Sequence, residues 1–592
     1  MINNSYRLSD EQFGKLNELL KGLNETQLVW VSAYLDGLLA SGGQIETLAT
    51  QPTPAGGEYF ANLTVLYGTE TGNSQELAEK LVSKAAFKNI KAEAVGMYDY
   101  DVSKLAAETN VAVIVSTHGE GEVPEMAKDF YNYITGKGAA SLKKVNFSVL
   151  ALGDKTYKYF CKTGEVIYQA MKDLGAFSLV PLEKCDVDYE QQAEIWMNNF
   201  LMNVTPEAEA SAEPEADDSV AILEYSKAKP FQAEVLKKEK LSGDESEKEV
   251  YHFEFSLEGS GLDYEPGDAL GIYTKNPKEL VDRIIEKTGF DREQLVFVKD
   301  KQVSVERALT HHVEITVLSY DLLEKYVEVT ANSQLDAILD DDNLLDEYLV
   351  GHDLLDLLSD FPFEWKAAQL FEILRPFPPR LYSISSSQSL VGNQVHATIA
   401  LVRYTKEERL RMGACSSHVI FDVKEGDKVP LFIDKNPSFK LPNDNSAVIM
   451  IGAGTGIAPY RAFMQQRENE GSIGKSWLFY GDRTEKSDFL YRDEWKSLLE
   501  TGTLEKLDLA FSRDQEAKVY VQHKMKERQQ ELYEWLENGA YLYVCGDMKH
   551  MAKDVNETLL EIIQEQGGGN LEEAEQYLRT MKREKRYQTD VY

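Results

Sequence analysis

In this 592-residue chain, the residues that can do chemistry gather in short turns behind apolar runs. The run Leu63–Tyr67 leads into Gly68-Thr69-Glu70-Thr71-Gly72-Asn73-Ser74. Hydroxyls and backbone N–H groups at a helix start form an anion site without lysine or arginine, and a monophosphate can sit there. The turn is not a P-loop, because the Gly-Lys-Ser/Thr ending is missing. Taken alone, it also reads as a plain strand-to-helix turn. Two more loops follow other runs of the same kind: Ser116-Thr117-His118-Gly119-Glu120-Gly121-Glu122 and Leu152-Gly153-Asp154-Lys155-Thr156-Tyr157-Lys158-Tyr159-Phe160-Cys161. Ligands bind beyond the carboxyl ends of such strands. Three loops converging there, the last with aromatics, describe a flat aromatic ligand carrying a phosphate.

A second group lies in the C-terminal half. In Arg380-Leu381-Tyr382-Ser383, an arginine can neutralise a pyrophosphate, a tyrosine can stack on a ring and a serine hydroxyl can reach a ring nitrogen. Gly413-Ala414-Cys415-Ser416-Ser417 opens a helix whose N-terminus can take the same pyrophosphate, and Thr398-Ile399-Ala400 with Tyr404 lies between. Ile449–Ile451 leads into Gly452-Ala453-Gly454-Thr455-Gly456-Ile457-Ala458-Pro459, where glycines let backbone approach a dinucleotide. Ser512-Arg513 and Lys518-Val519-Tyr520-Val521-Gln522 offer two cations and several donors to a 2′-phosphate, and a ring to stack on adenine. An NADH site would instead present a carboxylate to the ribose, so NADPH is the expected reductant. The last candidates are Cys545-Gly546-Asp547, behind the run Tyr541–Val544, and the tail Arg586-Tyr587-Gln588-Thr589-Asp590-Val591-Tyr592.

These turns need scaffolds. Residues 62–200 alternate apolar runs (NLTVLYG, KAEAVGM, VAVIVST, FSVLALG) with helical stretches, the pattern of a doubly wound parallel sheet. Residues 229–275 and 380–441 read as short strands around a helical stretch at about 277–375, a β-barrel with a helical insert. Strand–helix alternation returns over 446–592. The expected fold class is therefore α/β multidomain. Residues 1–48 read as two short helices with capping-box starts at Ser9/Gln12 and Asn24/Gln27. Such a hairpin is too small to stand alone and must pack on the body, on its copies or on a partner. The expected boundaries are a linker at 49–61, a first domain at 62–203, an acidic linker at 204–227, a barrel domain at 228–442 and a last domain at 443–592. The Ala/Glu/Pro-rich stretch 204–222 is disordered by composition and spans about 25 Å as a coil.

Composition narrows the partners. With 63 basic against 99 acidic residues the net charge is −36, a poor match for nucleic acid or an anionic membrane surface. A partner with a basic docking face, or plain solubility, accounts for it. The four cysteines show no CxxC spacing, which fits a reducing cytoplasm and cannot form an iron–sulfur ligand set. The start of the chain does not read as a signal peptide, and no apolar run reaches the ~18–20 residues of a membrane span.

The first three loops resemble flavodoxin, and the C-terminal motifs resemble the FAD and NADP domains of the ferredoxin–NADP reductase type. In this order they resemble the diflavin reductase family, to which cytochrome P450 reductase belongs. The resemblance implies FMN held by Thr69 to Ser74 at its phosphate, and by Ser116 to Gly119 and Leu152 to Cys161 around its ring, with Tyr157 stacking. His118 stands where P450 reductases place a second stacking aromatic, and reads either as a ring partner or as a solvated loop tip. The resemblance gives FAD Thr316, Arg380 to Ser383, Thr398 to Ala400, Tyr404, Gly413 to Ser416 and Tyr592. NADPH receives Gly454 to Gly456, Ser512, Arg513, Lys518 to Gln522 and Asp554. Ser383, Cys545 and Asp590 match the set that positions nicotinamide and steadies hydride transfer, and Tyr592 would cover the flavin and move aside.

Within the family, the missing anchor, the tyrosine end and the segment Thr26-Gln27-Leu28-Val29-Trp30-Val31-Ser32 resemble the assimilatory sulfite-reducing branch. That implies a cytoplasmic homo-oligomer assembled through the hairpin. It also implies a sirohaem iron–sulfur hemoprotein (beta) subunit as electron acceptor, making sulfide for cysteine. The alternative is a soluble P450-type reductase. A binding module that has lost catalysis is opposed by the intact Ser383, Cys545 and Asp590.

Overall fold

A computed structural model describes residues 61–204 and 225–592, apart from Thr71, Glu120, Asp300, Asn443, Asp444, Ser472 and Ile473. The expected hairpin at 1–48, the linker to residue 60 and most of the acidic linker lie outside the described residues.

The first sheet holds β1 (Ala61–Gly68), β2 (Ile90–Gly96), β3 (Asn110–Ser116), β4 (Asn146–Leu152), β5 (Phe177–Ser178) and β6 (Glu183–Cys185). All pair in parallel in the order β2-β1-β3-β4-β5, with β6 also on β4. Strand β3 shows why: Asn110 to Val115 are all buried, so both faces need cover, as in a parallel sheet between helices. Helices α1 (Asn73–Phe87) and α4 (Glu190–Val204) cover one face, α2 (Lys128–Thr135) and α3 (Lys162–Asp173) the other. Helix α1 does so through Leu77, Ala78, Leu81 and Ala85, one stripe at helical spacing. Strand order reverses between β1 and β3, and the loops after these two strands open at that switch point, where such sheets bind ligands.

The second sheet is antiparallel. It joins β7 (Phe231–Lys240), β8 (Val250–Ser256), β9 (Ala269–Ile272), β12 (Arg380–Ser383), β13 (Gln394–Ala400) and β16 (Lys428–Asp434) in the order β12-β9-β16-β7-β8-β13. The outer strands β12 and β13 approach at the bridge Ile384–Ala397, where Ser385 N–H donates to the His396 carbonyl at 2.9 Å and His396 N–H donates to Ser386 Oγ at 3.0 Å. Helices from Lys278–Thr288 to Ala367–Ile373 form the insert, with Ile284, Leu309, Tyr326 and Leu357 in one core. The stretch expected to be helical also contains a hairpin, β10 (Leu295–Val298) and β11 (Lys301–Ser304), which turns at Lys299 with φ 51°. A second hairpin, β14 (Arg403–Lys406) and β15 (Arg409–Met412), leans on the insert: the Lys406 ammonium donates to the Glu347 carbonyl at 3.1 Å.

The third sheet is parallel, with β17 (Val448–Ala453), β18 (Ser476–Asp482), β19 (Lys506–Phe511), β20 (Tyr541–Gly546) and β21 (Tyr587–Val591) in the order β19-β18-β17-β20-β21. The terminal strand β21 pairs with β20 so that Asp590 stands opposite Cys545. Among the described residues, no helix is long and apolar enough to cross a membrane.

Candidate functional site

At the head of α1, Gly72 has φ 94°, and a Cβ there would lie 2.1 Å from Ser438 Oγ; the position is reserved for glycine. The Gly72 N–H donates to Thr69 Oγ1 at 2.9 Å, which tightens the turn. Ser74 is buried, and its Oγ has no hydrogen-bond partner among the described residues. A buried orphan hydroxyl at a helix start is what a phosphate oxygen would satisfy, so these residues fit the expected group. Glu70 turns elsewhere, with Oε1 accepting the Glu125 N–H at 2.6 Å. Thr71 lies outside the described residues.

The other two loops border a cavity of about 690 Å³, a size for a flat cofactor. Its wall includes Asn73, Ser116 to Gly119, Leu152 to Asp154, Thr156, Tyr157 and Tyr159 to Cys161, with Arg380, Leu381 and Met548 also on it. His118 is held at this wall by a tight turn, its N–H donating to the Glu122 carbonyl at 2.9 Å and its carbonyl accepting from the Glu122 N–H at 2.7 Å. Lys155 and Lys158 lie off the wall. The Lys155 ammonium stands 5.6 Å from the centre of the Phe160 ring. Lys158 reaches the helical insert, donating to the Leu339 carbonyl at 3.0 Å and to Asp342 at 2.6 Å, where Tyr159 O–H joins it at 3.3 Å. Part of the third loop therefore docks the first domain on the second. The Cys161 thiol, pushed up by burial, donates to the Ala151 carbonyl at 3.3 Å.

Around β12, a buried carboxylate organises the expected FAD residues. Glu314 accepts from Arg380 Nη2 at 2.6 Å, from Thr316 N–H at 2.9 Å and from Thr316 O–H at 2.7 Å. Burial pulls its carboxyl up, but the Arg380 charge and the Thr316 bonds outweigh that and leave it below the ordinary value. Tyr382 shares a hydrogen bond with the Cys415 thiol, which burial pushes up to about 11. Leu381 is exposed, Thr398 O–H pairs with Tyr491 at 2.7 Å, and Ile399 lies in the core of the second sheet. Tyr404 stands beside Gly351 on the insert. Gly413 is held close to Val402, whose N–H donates to Ser416 Oγ at 3.1 Å. The helix expected at Ala414 is a single turn, Ala414–Ser417, that widens into a π-turn at His418–Asp422.

Three residues far apart in the chain converge beside the third sheet. Ser383 O–H donates to Asp590 Oδ2 at 2.6 Å, and the Cys545 thiol approaches the same oxygen at 3.7 Å. Burial raises the Asp590 carboxyl, and its two donors pull the other way. Burial, then the Asp590 charge, push the Cys545 thiol well above its usual value. The pair therefore presents a neutral S–H and O–H over one carboxylate. Tyr592 follows, 60% exposed, its N–H donating to the Gly546 carbonyl at 3.1 Å and its hydroxyl paired with Thr455 Oγ1 at 2.9 Å.

A cavity of about 670 Å³ opens here, walled by Ala400, Gly454, Thr455, Ser512, Tyr520, Val521, Gln522, Asp554 and Tyr592. Gly456 lies against β20: a Cβ would sit 2.2 Å from the Cys545 carbonyl oxygen. Gln522 donates to Asp554 at 2.8 Å. Tyr520 lies over His523, ring centres 5.8 Å apart. Arg513, Lys518 and Val519 are not part of the wall, whereas Lys248, Asp482 and Arg483 are. Sequence reasoning missed these three and Glu314. They belong to no glycine-rich turn, and only the fold brings Lys248 and Glu314 to these places.

Family models match the three regions in order: flavodoxin at 65–196, FAD binding domain at 224–418 and oxidoreductase NAD-binding domain at 450–557. The sulfite reductase (NADPH) flavoprotein alpha-component of Bacillus subtilis is 44% identical over 599 residues, covering 99% of this chain and 98% of that protein. The chain belongs to this flavoprotein family. Its counterparts in Photobacterium profundum and Shewanella oneidensis are each 40% identical, over 99% of this chain and 98% of theirs. The flavoprotein is an NADPH-dependent oxidoreductase, and its cofactors are FMN, FAD and NADPH.

Proposed function

We propose that this flavoprotein takes hydride from NADPH onto FAD, moves the electrons to FMN and delivers them singly to a sirohaem iron–sulfur hemoprotein, the beta subunit that reduces sulfite to sulfide for cysteine synthesis. The observation that carries the reading is the meeting of Ser383 and Cys545 on Asp590 beside the dinucleotide cavity. Bound FAD supplies the hydride acceptor and bound FMN the one-electron donor. The chain supplies binding, orientation and exclusion of water.

In this reading the head of α1 with Ser74, together with the His118 and Tyr157 loops, holds FMN. Arg380, oriented by Glu314, takes the FAD pyrophosphate, with Tyr382, Tyr404 and the Gly413–Ser416 turn along the rest of that cofactor. Gly454 to Gly456, Ser512, Arg513, Lys518 to Gln522 and Asp554 hold NADPH. Asp590 accepts from the Ser383 hydroxyl and the Cys545 thiol and so fixes both groups beside the nicotinamide. Tyr592 is the gate: its side chain is largely exposed and anchored to Thr455 by a hydrogen bond, so it can swing without unfolding the sheet.

The domain boundaries are those of the sequence analysis, and residues 1–48 assemble copies of the chain in the cytoplasm. The test is NADPH-driven reduction of ferricyanide by the FMN- and FAD-loaded protein; flavin-loaded protein without turnover refutes the reading. Light-scattering mass with and without residues 1–58 tests the assembly role, and an unchanged monomer in both removes it.

A further inference from the structure

The turn between β7 and β8 clasps the third domain. Gly243 N–H donates to the Ser487 carbonyl at 2.8 Å, Ser246 O–H bonds Asp488 and Lys248 pairs with Asp482. Within this clasp, one carboxylate oxygen of Glu247 accepts from two guanidinium groups, Arg483 Nη1 at 2.9 Å and Arg513 Nη1 at 2.6 Å. The two arginines stand side by side because Arg513 N–H donates to the Arg483 carbonyl at 2.8 Å, and the neighbouring Ser512 N–H donates to the Asp482 carbonyl at 2.9 Å. Arg483 and Ser512 wall the dinucleotide cavity. Arg513 and Ser512 are the pair that the NADPH reading assigns to the 2′-phosphate. Glu247 therefore places a single negative charge on cations that would meet a phosphate carrying nearly two.

We infer that Glu247 is an internal stand-in for the coenzyme's 2′-phosphate: it keeps Arg483 and Arg513 paired while the cavity is empty, and it weakens the grip on 2′-phosphorylated coenzyme because the phosphate must displace it. The inference rests on the NADPH assignment of the cavity. The displacement is feasible because Glu247 is 66% exposed, and water takes up the carboxylate as it leaves. A phosphate outcompetes it through higher charge and more acceptor oxygens. The arginines are thus held ready, while the oxidised product stays loosely bound enough to leave. The Arg513 bond, followed by its charge, holds the Glu247 carboxyl below its ordinary value, so the stand-in is charged throughout the neutral range.

The test is calorimetric binding of 2′,5′-ADP and of 5′-ADP to the full-length, flavin-loaded protein and to its Glu247→Gln and Glu247→Ala variants. An exposed carboxylate shared by two arginines contributes modestly, so both variants should bind 2′,5′-ADP about threefold to tenfold more tightly, with 5′-ADP changed by less than about twofold. Inhibition by NADP⁺ should strengthen in step. Unchanged or weaker 2′,5′-ADP binding in both variants overturns the inference, as does an equal shift for both nucleotides, which would mark Glu247 as part of the clasp alone. A wild-type protein that fails to prefer 2′,5′-ADP over 5′-ADP overturns the NADPH assignment itself, a separately visible outcome.

Discussion

Asp590→Asn isolates what the buried carboxylate does. The amide keeps the shape and one oxygen, so Ser383 and Cys545 retain an acceptor, but the charge is gone. Hydrogen bonds to a charged group contribute ~1.5–3 kcal/mol and neutral ones ~0.5–1.5. The Ser383 bond at 2.6 Å is the stronger of the two and the thiol contact at 3.7 Å the weaker. Together the loss of positioning is about 1–2 kcal/mol, which slows hydride transfer about fivefold to thirtyfold. The assay is single-turnover bleaching of the flavin by NADPH, repeated with NADPH deuterated at the transferred position. Because burial disfavours the native charge, the variant should melt no lower than the wild type, so the rate loss is separable from unfolding. Protonating Asp590 removes the same charge as the substitution does while leaving an acceptor oxygen. The wild-type rate should therefore fall as pH drops through a value above the ordinary carboxylate range, and the Asn variant should lack that limb. An unchanged rate with an unchanged isotope effect would refute the reasoning.

Three further outcomes are expected. Glu314→Ala strips the buried partner from Arg380 and Thr316, so the protein should lose about 3–5 kcal/mol and release FAD on gel filtration; retention of FAD with an unshifted melting point would contradict this. Burial, then the Arg461 charge, hold His252 down at about 2 and His396 at about 3. Unfolded, both titrate near 6.5, so their contribution is complete above that pH and is lost as pH falls below it, by about 1.4 kcal/mol each at pH ~5.5. A His396→Gln variant should show about half that acid loss in melting curves, and an identical loss would exclude the pair as its cause. Lys158→Glu repels Asp342 on the insert and should slow electron flow from NADPH to an FMN-dependent acceptor about threefold, without slowing flavin reduction by NADPH.

What the sequence made legible depended on how local the physics was. The turn at Gly68–Ser74 could be read because a strand, a glycine and a helix start are neighbours in the chain, and the structure adds the orphan Ser74 hydroxyl. The parallel sheets were legible because strands such as Asn110–Ser116 are apolar on both faces. The hairpin at Leu295–Ser304 was missed inside a helical stretch, since alternation over four residues is too short to stand out. Ser383, Cys545 and Asp590 were named by resemblance. The Ser383–Asp590 contact spans 207 residues: the pairing of β21 with β20 sets Asp590 opposite Cys545, and Ser383 is brought there from β12 of the second sheet. Glu314 left no local sign, because its importance comes from burial against Arg380 and Thr316. For Lys155 and Lys158, one aromatic-rich loop reads as a single ligand-binding unit, whereas the fold keeps both lysines off the cavity wall and turns Lys158 onto the insert.

The most direct test of the account is sulfide production. The flavin-loaded protein should be mixed with a sirohaem iron–sulfur hemoprotein, sulfite and NADPH. The account predicts NADPH-dependent sulfide that requires both proteins and falls with Asp590→Asn in proportion to the hydride rate. Absence of sulfide, alongside efficient reduction of a cytochrome P450 by the same preparation, would contradict it.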